Sequence, residues 1–237
     1  YGEMLEAVYP AVEAANPEAQ LLVGGLLLDC DPVNPPDLPP GTGKFKNCKP
    51  ALFLEGIIVT GGASAFDGVS FHAYDFFYES VGFYGNVNWH SGYNRTGQMP
   101  VVRAKIAYLR DLLAQYGVFD KALYNTETSL LCSQAGANSF CGAAPFRRTK
   151  ANYTAESNAV ALAEGLSGNF WFSLNAGWRS SNLTGDPYRA YQYSVAQLRG
   201  AEAARELFDY PGVMGFEFYR PEKRVWLLWS YDFFPPP

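Results

Sequence analysis

Two short apolar runs, Phe66-Asp-Gly-Val-Ser-Phe-His-Ala-Tyr74 and Lys121-Ala-Leu-Tyr-Asn-Thr-Glu-Thr128, each end in residues that can carry chemistry. Each run has the length and the composition of a β-strand. Between them, apolar residues recur at helical spacing from Pro100 to Gln115, and a proline is well suited to the first turn of a helix. The order strand, helix, strand is typical of a parallel β/α unit.

The same alternation continues on both sides of this unit. Upstream we predict a helix over residues 3–15, a buried strand over 20–28 and a short helix over 51–59. Downstream we predict a helix from Thr154 to Leu166, with Thr154 as its N-cap, a strand from Asn169 to Leu174 and a long helix from Pro187 to Phe208. Residues 213–219 and 224–230 then pair as a β-hairpin.

These elements predict an α/β fold of the (β/α)8 TIM-barrel type. A complete barrel has eight parallel strands, whereas this sequence offers four, because long loops occupy the rest of the chain. We therefore expect half of a barrel at residues 1–210, followed by the β-hairpin at 211–237. The chain begins within a helical pattern and ends in Pro235-Pro236-Pro237, so we also expect it to be a fragment.

The composition excludes several classes of protein. Of the 237 residues, 48% are hydrophobic and 17% are charged, which is too much apolar and too little charged material for a disordered chain. The formal net charge is −5, and no cluster of Lys and Arg marks a phosphate-binding surface, so we expect no nucleic-acid partner. The longest apolar stretch, Leu21 to Leu28, contains two glycines and is too short to span a bilayer.

Four cysteines, Cys30, Cys48, Cys132 and Cys141, allow three patterns of disulfide bonding. We favour the pairs Cys30–Cys48 and Cys132–Cys141, because each pair encloses one loop rich in Gly, Pro, Ser and Asn. The alternative is that all four are buried, unpaired thiols. Disulfides predict an extracellular, secreted protein. No Cys-x-x-Cys motif occurs and the chain has two histidines, so we expect no metal site and no cofactor.

Three sequons, at Asn94, Asn152 and Asn182, permit N-glycosylation. A modification of this kind agrees with secretion. Sequons also arise by chance, so these positions add little to the prediction of an extracellular location.

The residues that can carry chemistry lie where the predicted strands end. In β/α barrels, catalytic groups occupy this end of the strands. Glu127 ends one strand, and His72 and Tyr74 end its neighbour. The last strand of this kind and the loop after it provide Trp171, Asn175 and Trp178. A carboxylate beside a phenol, an imidazole and aromatic rings suits sugar chemistry, because the carboxylate can attack an oxocarbenium-like centre and an aromatic face can stack on a pyranose.

Each of these residues also has an ordinary structural explanation. Glu127 could be a structural carboxylate that bonds to its threonine neighbours, and His72 could be a hydrogen-bonded core residue. Tryptophan side chains belong to the core more often than to a sugar-binding surface. The residues alone leave these alternatives open.

The order of the short motifs resembles the second half of clan A retaining glycoside hydrolases. The motifs are the Gly24-Gly25 strand, Ser70-Phe-His-Ala-Tyr74, Thr126-Glu-Thr128 and Phe170-Trp-Phe-Ser-Leu174. Near the end of the chain, Tyr219-Arg-Pro-Glu-Lys-Arg-Val-Trp-Leu-Leu-Trp-Ser230 looks like the start of the β-sandwich that often follows the barrel in β-xylosidase- and α-iduronidase-like enzymes.

The resemblance implies a role for each motif. The strands would be the fifth to eighth of the barrel, with Glu127 as the nucleophile at the end of the seventh. His72 and Tyr74 would line the sugar site on the sixth strand, and Trp171 would floor it on the eighth. In such enzymes the acid/base glutamate follows an asparagine at the end of the fourth strand, but this chain contains no Asn-Glu pair. The resemblance therefore places the acid/base upstream of Tyr1.

Functions of different classes fit this sequence. The first is a retaining glycosidase that hydrolyses a carbohydrate substrate, with Glu127 as nucleophile and the second carboxyl group outside this chain. The second is a non-catalytic, glycosidase-derived extracellular protein that binds carbohydrate or assembles with itself, since half a barrel leaves an unpaired strand edge. The partner would be the missing N-terminal half or a second copy. A third hypothesis is a lone hydrolase that uses Asp75 or Glu79 as its acid/base.

Overall fold

The computed structural model describes residues 1–36, 48–78, 80–90, 99–132, 141–174 and 181–230. The elements follow in chain order: α1 (Gly2–Ala15), β1 (Leu22–Leu26), α2 (Phe53–Val59), β2 (Gly68–Phe77), β3 (Tyr84–Gly85), α3 (Val102–Gln115), β4 (Ala122–Leu131), α4 (Ala144–Ala163), β5 (Gly168–Trp171), α5 (Asp186–Leu198), β6 (Glu202–Leu207), β7 (Val213–Arg220) and β8 (Lys223–Ser230). None of the described helices is long and apolar enough to cross a membrane.

Helices alternate with parallel strands along the chain. Within the described residues, the parallel sheet has the strand order β1-β2-β4-β5, and the short β3 pairs with the end of β2 in the antiparallel sense. β6, β7 and β8 form a separate antiparallel sheet, in which β7 and β8 are the predicted hairpin. The predicted fold class, β/α units of the barrel type followed by a β-hairpin, is confirmed.

The core lies between the parallel sheet and its helices. On β2, Val69, Phe71 and Ala73 alternate along one side of the strand and are fully buried. They belong to one apolar cluster with Ile106 and Leu109 of α3. Each large apolar side chain buried in this way contributes about 1.5–3 kcal/mol to folding. The residues between them on β2 therefore point to the other side of the sheet.

The helix α4 begins ten residues before the predicted start at Thr154. Thr154 is not an N-cap, because it lies inside the helix, is fully buried and donates its hydroxyl to the carbonyl oxygen of Lys150 at 2.6 Å. The first half of this helix was missed because its buried side chains include the polar Thr149 and Lys150, which break the apolar pattern that identifies a helix.

The predicted helix from Pro187 to Phe208 is wrong after Leu198, where α5 ends. Gly200 adopts a positive φ of 67°, and residues 202–207 form β6, which pairs with β7. Ala, Glu, Arg and Leu in this segment favour a helix, but pairing with β7 overrides that preference. The division of the chain near residue 210 stays a prediction, and β6 lies on the N-terminal side of it.

Disulfide bonds join Cys30 to Cys48 and Cys132 to Cys141, with Cα–Cα distances of 5.2 and 5.3 Å. The favoured pairing is therefore confirmed, and the alternative of four unpaired thiols is wrong. The first bond ties the segment after β1 to the segment before α2, and the second lies between β4 and α4.

Candidate active site

An irregularity in β4 decides which way Glu127 points. Asn125 lies opposite Phe71 of β2, but Glu127 lies opposite His72, so β4 contains one extra residue, a β-bulge at Thr126. The amide of Asn125 donates to Asn169, which in turn bonds to Asn158 of α4, so Asn125 points to the helices. Because of the bulge, Glu127 points to the opposite side of the parallel sheet. We call this side, which carries His72, Tyr74 and Glu127, the site face.

His72, Tyr74 and Glu127 contact one another on the site face. The hydroxyl of Tyr74 donates to Oε2 of Glu127 at 2.5 Å. Nδ1 of His72 lies 3.4 Å from the same oxygen. The side chains of His72 and Glu127 are 23% and 32% exposed, so the group is partly buried but open to a ligand. The structure thus brings together the three polar residues that the sequence predicted at this site.

The sequence analysis predicted that these three residues lie at strand ends. In the structure they lie within β2 and β4 instead. β2 continues to Phe77 and β4 continues to Leu131. The additional residues Leu130 and Leu131 are buried, which stabilises the longer pairing of the two strands.

Burial and charge set the protonation of Tyr74 and His72. Burial, and then the hydrogen bond to Glu127, raise the pKa of Tyr74 well above its ordinary value. For His72, burial is the largest effect and lowers the pKa; Glu127 raises it and Lys105 lowers it. At neutral pH, Tyr74 is therefore a neutral phenol that donates a hydrogen bond, and His72 is a neutral imidazole.

Glycines on β1 make space for this group. A Cβ atom at Gly25 would lie 2.2 Å from Nε2 of His72, and one at Gly24 would lie 2.1 Å from the carbonyl oxygen of Ser70. Only a residue without a side chain permits such a close approach. Gly24 and Gly25 therefore allow β1 to approach β2 at the level of the imidazole.

Trp171 lies on the α4 side of the sheet. It is opposite Thr128, whose hydroxyl contacts Tyr153 of α4, and its indole ring meets the ring of Tyr153 edge-on at 6.2 Å. Its Nε1 donates to the carbonyl oxygen of Ser181 at 3.0 Å. Glu127 precedes Thr128 in the strand and so points the other way. A sugar-binding role of Trp171 stays a prediction, and Asn175 and Trp178 lie outside the described residues.

Phe170 is an aromatic residue that the sequence analysis did not assign to the site. It precedes Trp171 on β5, so its side chain points to the site face, and it is 55% exposed. The alternation of residues on β5 is the signal that could have identified it.

Lys105 is a second residue that sequence reasoning missed. It lies on the buried stripe of α3, between Val102 and Leu109, and is 3% exposed. Its Nζ donates to the carbonyl oxygen of His72. A charged residue on an otherwise apolar helical stripe was the available signal.

Asp75, a carboxyl group that the sequence suggested for catalysis, is not on the site face. Asp75 lies in β2, is fully buried and accepts a hydrogen bond from the backbone nitrogen of Val101 at 2.8 Å, just before α3. Tyr74 and Asp75 are adjacent in the strand and point to opposite sides. Asp75 is therefore not placed to act on a ligand beside Glu127, and Glu79 lies outside the described residues.

The predicted glycosylation sites differ in their surroundings. Asn152 is exposed on α4, whereas Oδ1 of Asn182 is buried. Asn94 lies outside the described residues. Glycosylation at each position stays a prediction. Among the described residues, no three His, Cys, Asp or Glu side chains come together as ligands for a metal ion.

The fold and this site define an α/β protein with a partly buried carboxylate on one face of a parallel sheet. No protein family and no curated protein matches the sequence. Among solved structures, the chain is similar to a glucosidase from Croceicoccus marinus, with 16% sequence identity and a TM-score of 0.48. The similarity covers 92% of this chain and 43% of the glucosidase, so the chain spans less than half of that protein's length.

Proposed function

We propose that this chain is the second half of the catalytic barrel of a retaining glycosidase, with Glu127 as the nucleophile. The observation that carries the proposal is the convergence of Tyr74 and His72 on Oε2 of Glu127. A neutral phenol that donates to this oxygen and a neutral imidazole beside it hold the carboxylate of Glu127 in one orientation. The carboxylate can then attack the anomeric carbon of a sugar and form a covalent glycosyl-enzyme.

A retaining mechanism needs a second carboxyl group about 5–5.5 Å from the first, which protonates the departing glycosidic oxygen and then activates water. Asp75 points away from the site face. In line with the resemblance, we assign the acid/base to a segment upstream of Tyr1. In the complete site, the bond from the anomeric carbon to the leaving group breaks as the bond to Glu127 forms. In the second step, water attacks the anomeric carbon, gives its proton to the acid/base, and the bond to Glu127 breaks.

Aromatic side chains would bind the sugar ring. Phe170 is exposed on the site face, and we also assign Asn175 and Trp178 to the walls of the sugar site. The disulfides Cys30–Cys48 and Cys132–Cys141 support an extracellular location, because such bonds persist in oxidising compartments.

The test is substitution of Glu127 in the protein that contains the whole barrel. Glu127→Gln should lower kcat/KM for aryl glycosides by at least about 10³-fold, because the amide cannot form the covalent intermediate. In Glu127→Gly, added azide should restore turnover and yield the glycosyl azide of inverted configuration. Glu18→Gln, at an exposed glutamate, is the matched control and should keep full activity. Unchanged hydrolysis by Glu127→Gln across a panel of glycosides overturns the proposal.

A non-catalytic function is favoured by a different observation. Within the described residues, β1 and β5 are the edges of the parallel sheet, and exposed apolar side chains accompany both, Leu27 after β1 and Phe170 on β5. An open edge and exposed apolar groups promote association with a second copy or with another half-barrel. A compact, stable monomer in sedimentation experiments would count against self-assembly.

A further inference from the structure

Lys105 occupies an unusual position for a lysine. Its side chain extends from α3 into the core, and its Nζ donates to the carbonyl oxygens of His72 at 2.7 Å and of Leu27 at 3.3 Å. The same Nζ lies 5.4 Å from the centre of the Trp89 ring. One ammonium group therefore connects a helix, the end of β1, the middle of β2 and an aromatic ring.

Stability alone does not explain a lysine here. The neighbouring buried residues of α3, Val102, Ile106 and Leu109, are apolar, so an apolar side chain would continue the stripe. Replacement of a buried charge by an apolar group of similar size is often neutral or stabilising. The position of Lys105 thus points to a task that requires its charge or its hydrogen bonds.

That task concerns His72. The peptide oxygen that Lys105 binds belongs to the same residue whose imidazole lies between Gly25 and Glu127. The other oxygen belongs to Leu27, and the next carbonyl, of Leu28, accepts a hydrogen bond from Trp89 Nε1 at 2.7 Å. Lys105 and Trp89 together hold the chain after β1 against β2 at the level of the imidazole.

We propose that Lys105 is a positioning residue of the Glu127 site, whose ammonium group fixes the backbone at His72 and Leu27 and so holds the imidazole against the carboxylate. Its importance for catalysis rests on the proposed glycosidase function. The geometric role itself does not depend on a substrate, and it can be measured on this chain.

The charge of Lys105 has a second effect on the same imidazole. The titratable groups that face His72 are Glu127 from β4, Tyr74 from β2 and Lys105 from α3, while β1 presents Gly25, which has no side chain. Glu127 raises the pKa of His72, and Lys105 opposes it. Lys105 therefore favours a neutral imidazole that does not form an ion pair with Glu127.

The experiment is an NMR titration of the imidazole signals of the 237-residue chain, which contains the histidines His72 and His90 and no others. In Lys105→Met, the midpoint of His72 should move to higher pH, because a positive charge is lost and water gains access to the ring. The midpoint of His90 should stay unchanged. In Lys105→Arg, which keeps the charge, the midpoint of His72 should move less than in Lys105→Met.

Lys150→Met is the matched control. Lys150 has the same 3% exposure, donates to the carbonyl oxygen of Asn182 and lies 5.5 Å from the Trp171 ring, on another part of the sheet. The variant Lys150→Met should leave the pH midpoint of His72 unchanged, whatever its effect on the melting temperature. An unchanged His72 midpoint in folded Lys105→Met overturns the proposal and leaves Lys105 as a structural residue.

A measurement on the unaltered chain covers the case in which Lys105→Met does not fold. The ammonium signal of Lys105 should shift with the same pH midpoint as the imidazole of His72, and the signal of Lys223, an exposed lysine on β8, should not. A Lys105 signal that does not respond at the His72 midpoint contradicts the proposal. These outcomes are independent of Glu127→Gln activity, so failure of the positioning role and failure of the glycosidase function are distinguishable.

Discussion

At the residue scale, the site depends on one carboxylate oxygen and on the side chains that reach it. Tyr74 donates to Oε2 of Glu127, and His72 lies beside the same oxygen. The imidazole reaches this position because Gly25 has no side chain. The sequence identified His72, Tyr74 and Glu127 because all three follow apolar runs, where a polar side chain needs an explanation. It did not identify the space that Gly25 provides, because that space depends on how closely two strands approach.

The replacement of Gly25 by alanine tests this dependence. The new methyl group would overlap the His72 ring, so Gly25→Ala should displace the imidazole from Glu127 and destabilise the fold by about 1–3 kcal/mol. Thermal unfolding and the NMR signal of His72 measure the two effects. Gly56→Ala on α2 is the control, because a Cβ at Gly56 would meet no atom within 4 Å. Equal stability of the two variants would show that the site tolerates the methyl group.

At the scale of elements, the helix α3 was predictable because its buried residues repeat with a helical period. The first half of α4 was not, because Thr149 and Lys150 interrupt the repeat and find their partners only in the folded chain. β6 was read as helix because its residues are good helix formers, and pairing with the next strand, β7, overrides that preference. The direction of Trp171 depends on strand register and could not be predicted either.

The contact between α4 and β3 should make stability depend on pH. Glu156 of α4 is buried and accepts a hydrogen bond from Tyr84 of β3 at 2.5 Å. Burial raises its pKa from 4.5 to about 7, so the protonated form is stabilised in the fold. This contribution, up to about 3 kcal/mol, is fully present below the unfolded pKa and is lost as the pH rises through about 7.

Glu156→Gln removes the titrating group and keeps an acceptor for Tyr84. As the pH rises from about 5 to about 8, the melting temperature of Glu156→Gln should fall less than the melting temperature of the parent protein. Thermal unfolding at a series of pH values measures the difference, and Glu18→Gln is the exposed control that should follow the parent. Parallel profiles of Glu156→Gln and the parent would show that Glu156 does not titrate in this range.

At the scale of the whole molecule, the parallel β/α class and the disulfide pairing were both accessible from the sequence. The class follows from the alternation of strand and helix patterns, and the pairing follows from the loops that the cysteines enclose. The extra strand of the antiparallel sheet, β6, could not be predicted, because its residues favour a helix and its pairing with β7 overrides that preference. Each disulfide closes one of the long connections after β1 and β4, where the sequence shows no helical or strand pattern.

Removal of these disulfides should destabilise the protein. The variant Cys132→Ser/Cys141→Ser, which opens a loop with a sequence separation of 9, should lose roughly 2–3 kcal/mol. Cys30→Ser/Cys48→Ser, with a separation of 18, should lose slightly more. Urea unfolding under oxidising conditions measures both losses, and a reducing agent should lower the stability of the parent to that of the double variants or below. No effect of the reducing agent on the parent would contradict the prediction.

The bulge at Thr126 shifts the alternation of side chains in β4 by one residue. Before it, odd-numbered residues such as Asn125 face the helices; after it, even-numbered residues such as Thr128 do so, and Glu127 lies on the site face. Pairing of β4 with β2 without the bulge would turn Glu127 toward the helices, whereas deletion of Thr126 would remove the extra residue and leave Glu127 next to Asn125, still on the site face. The extra residue thus allows Asn125 and Glu127, which are two positions apart, to face opposite sides of one sheet.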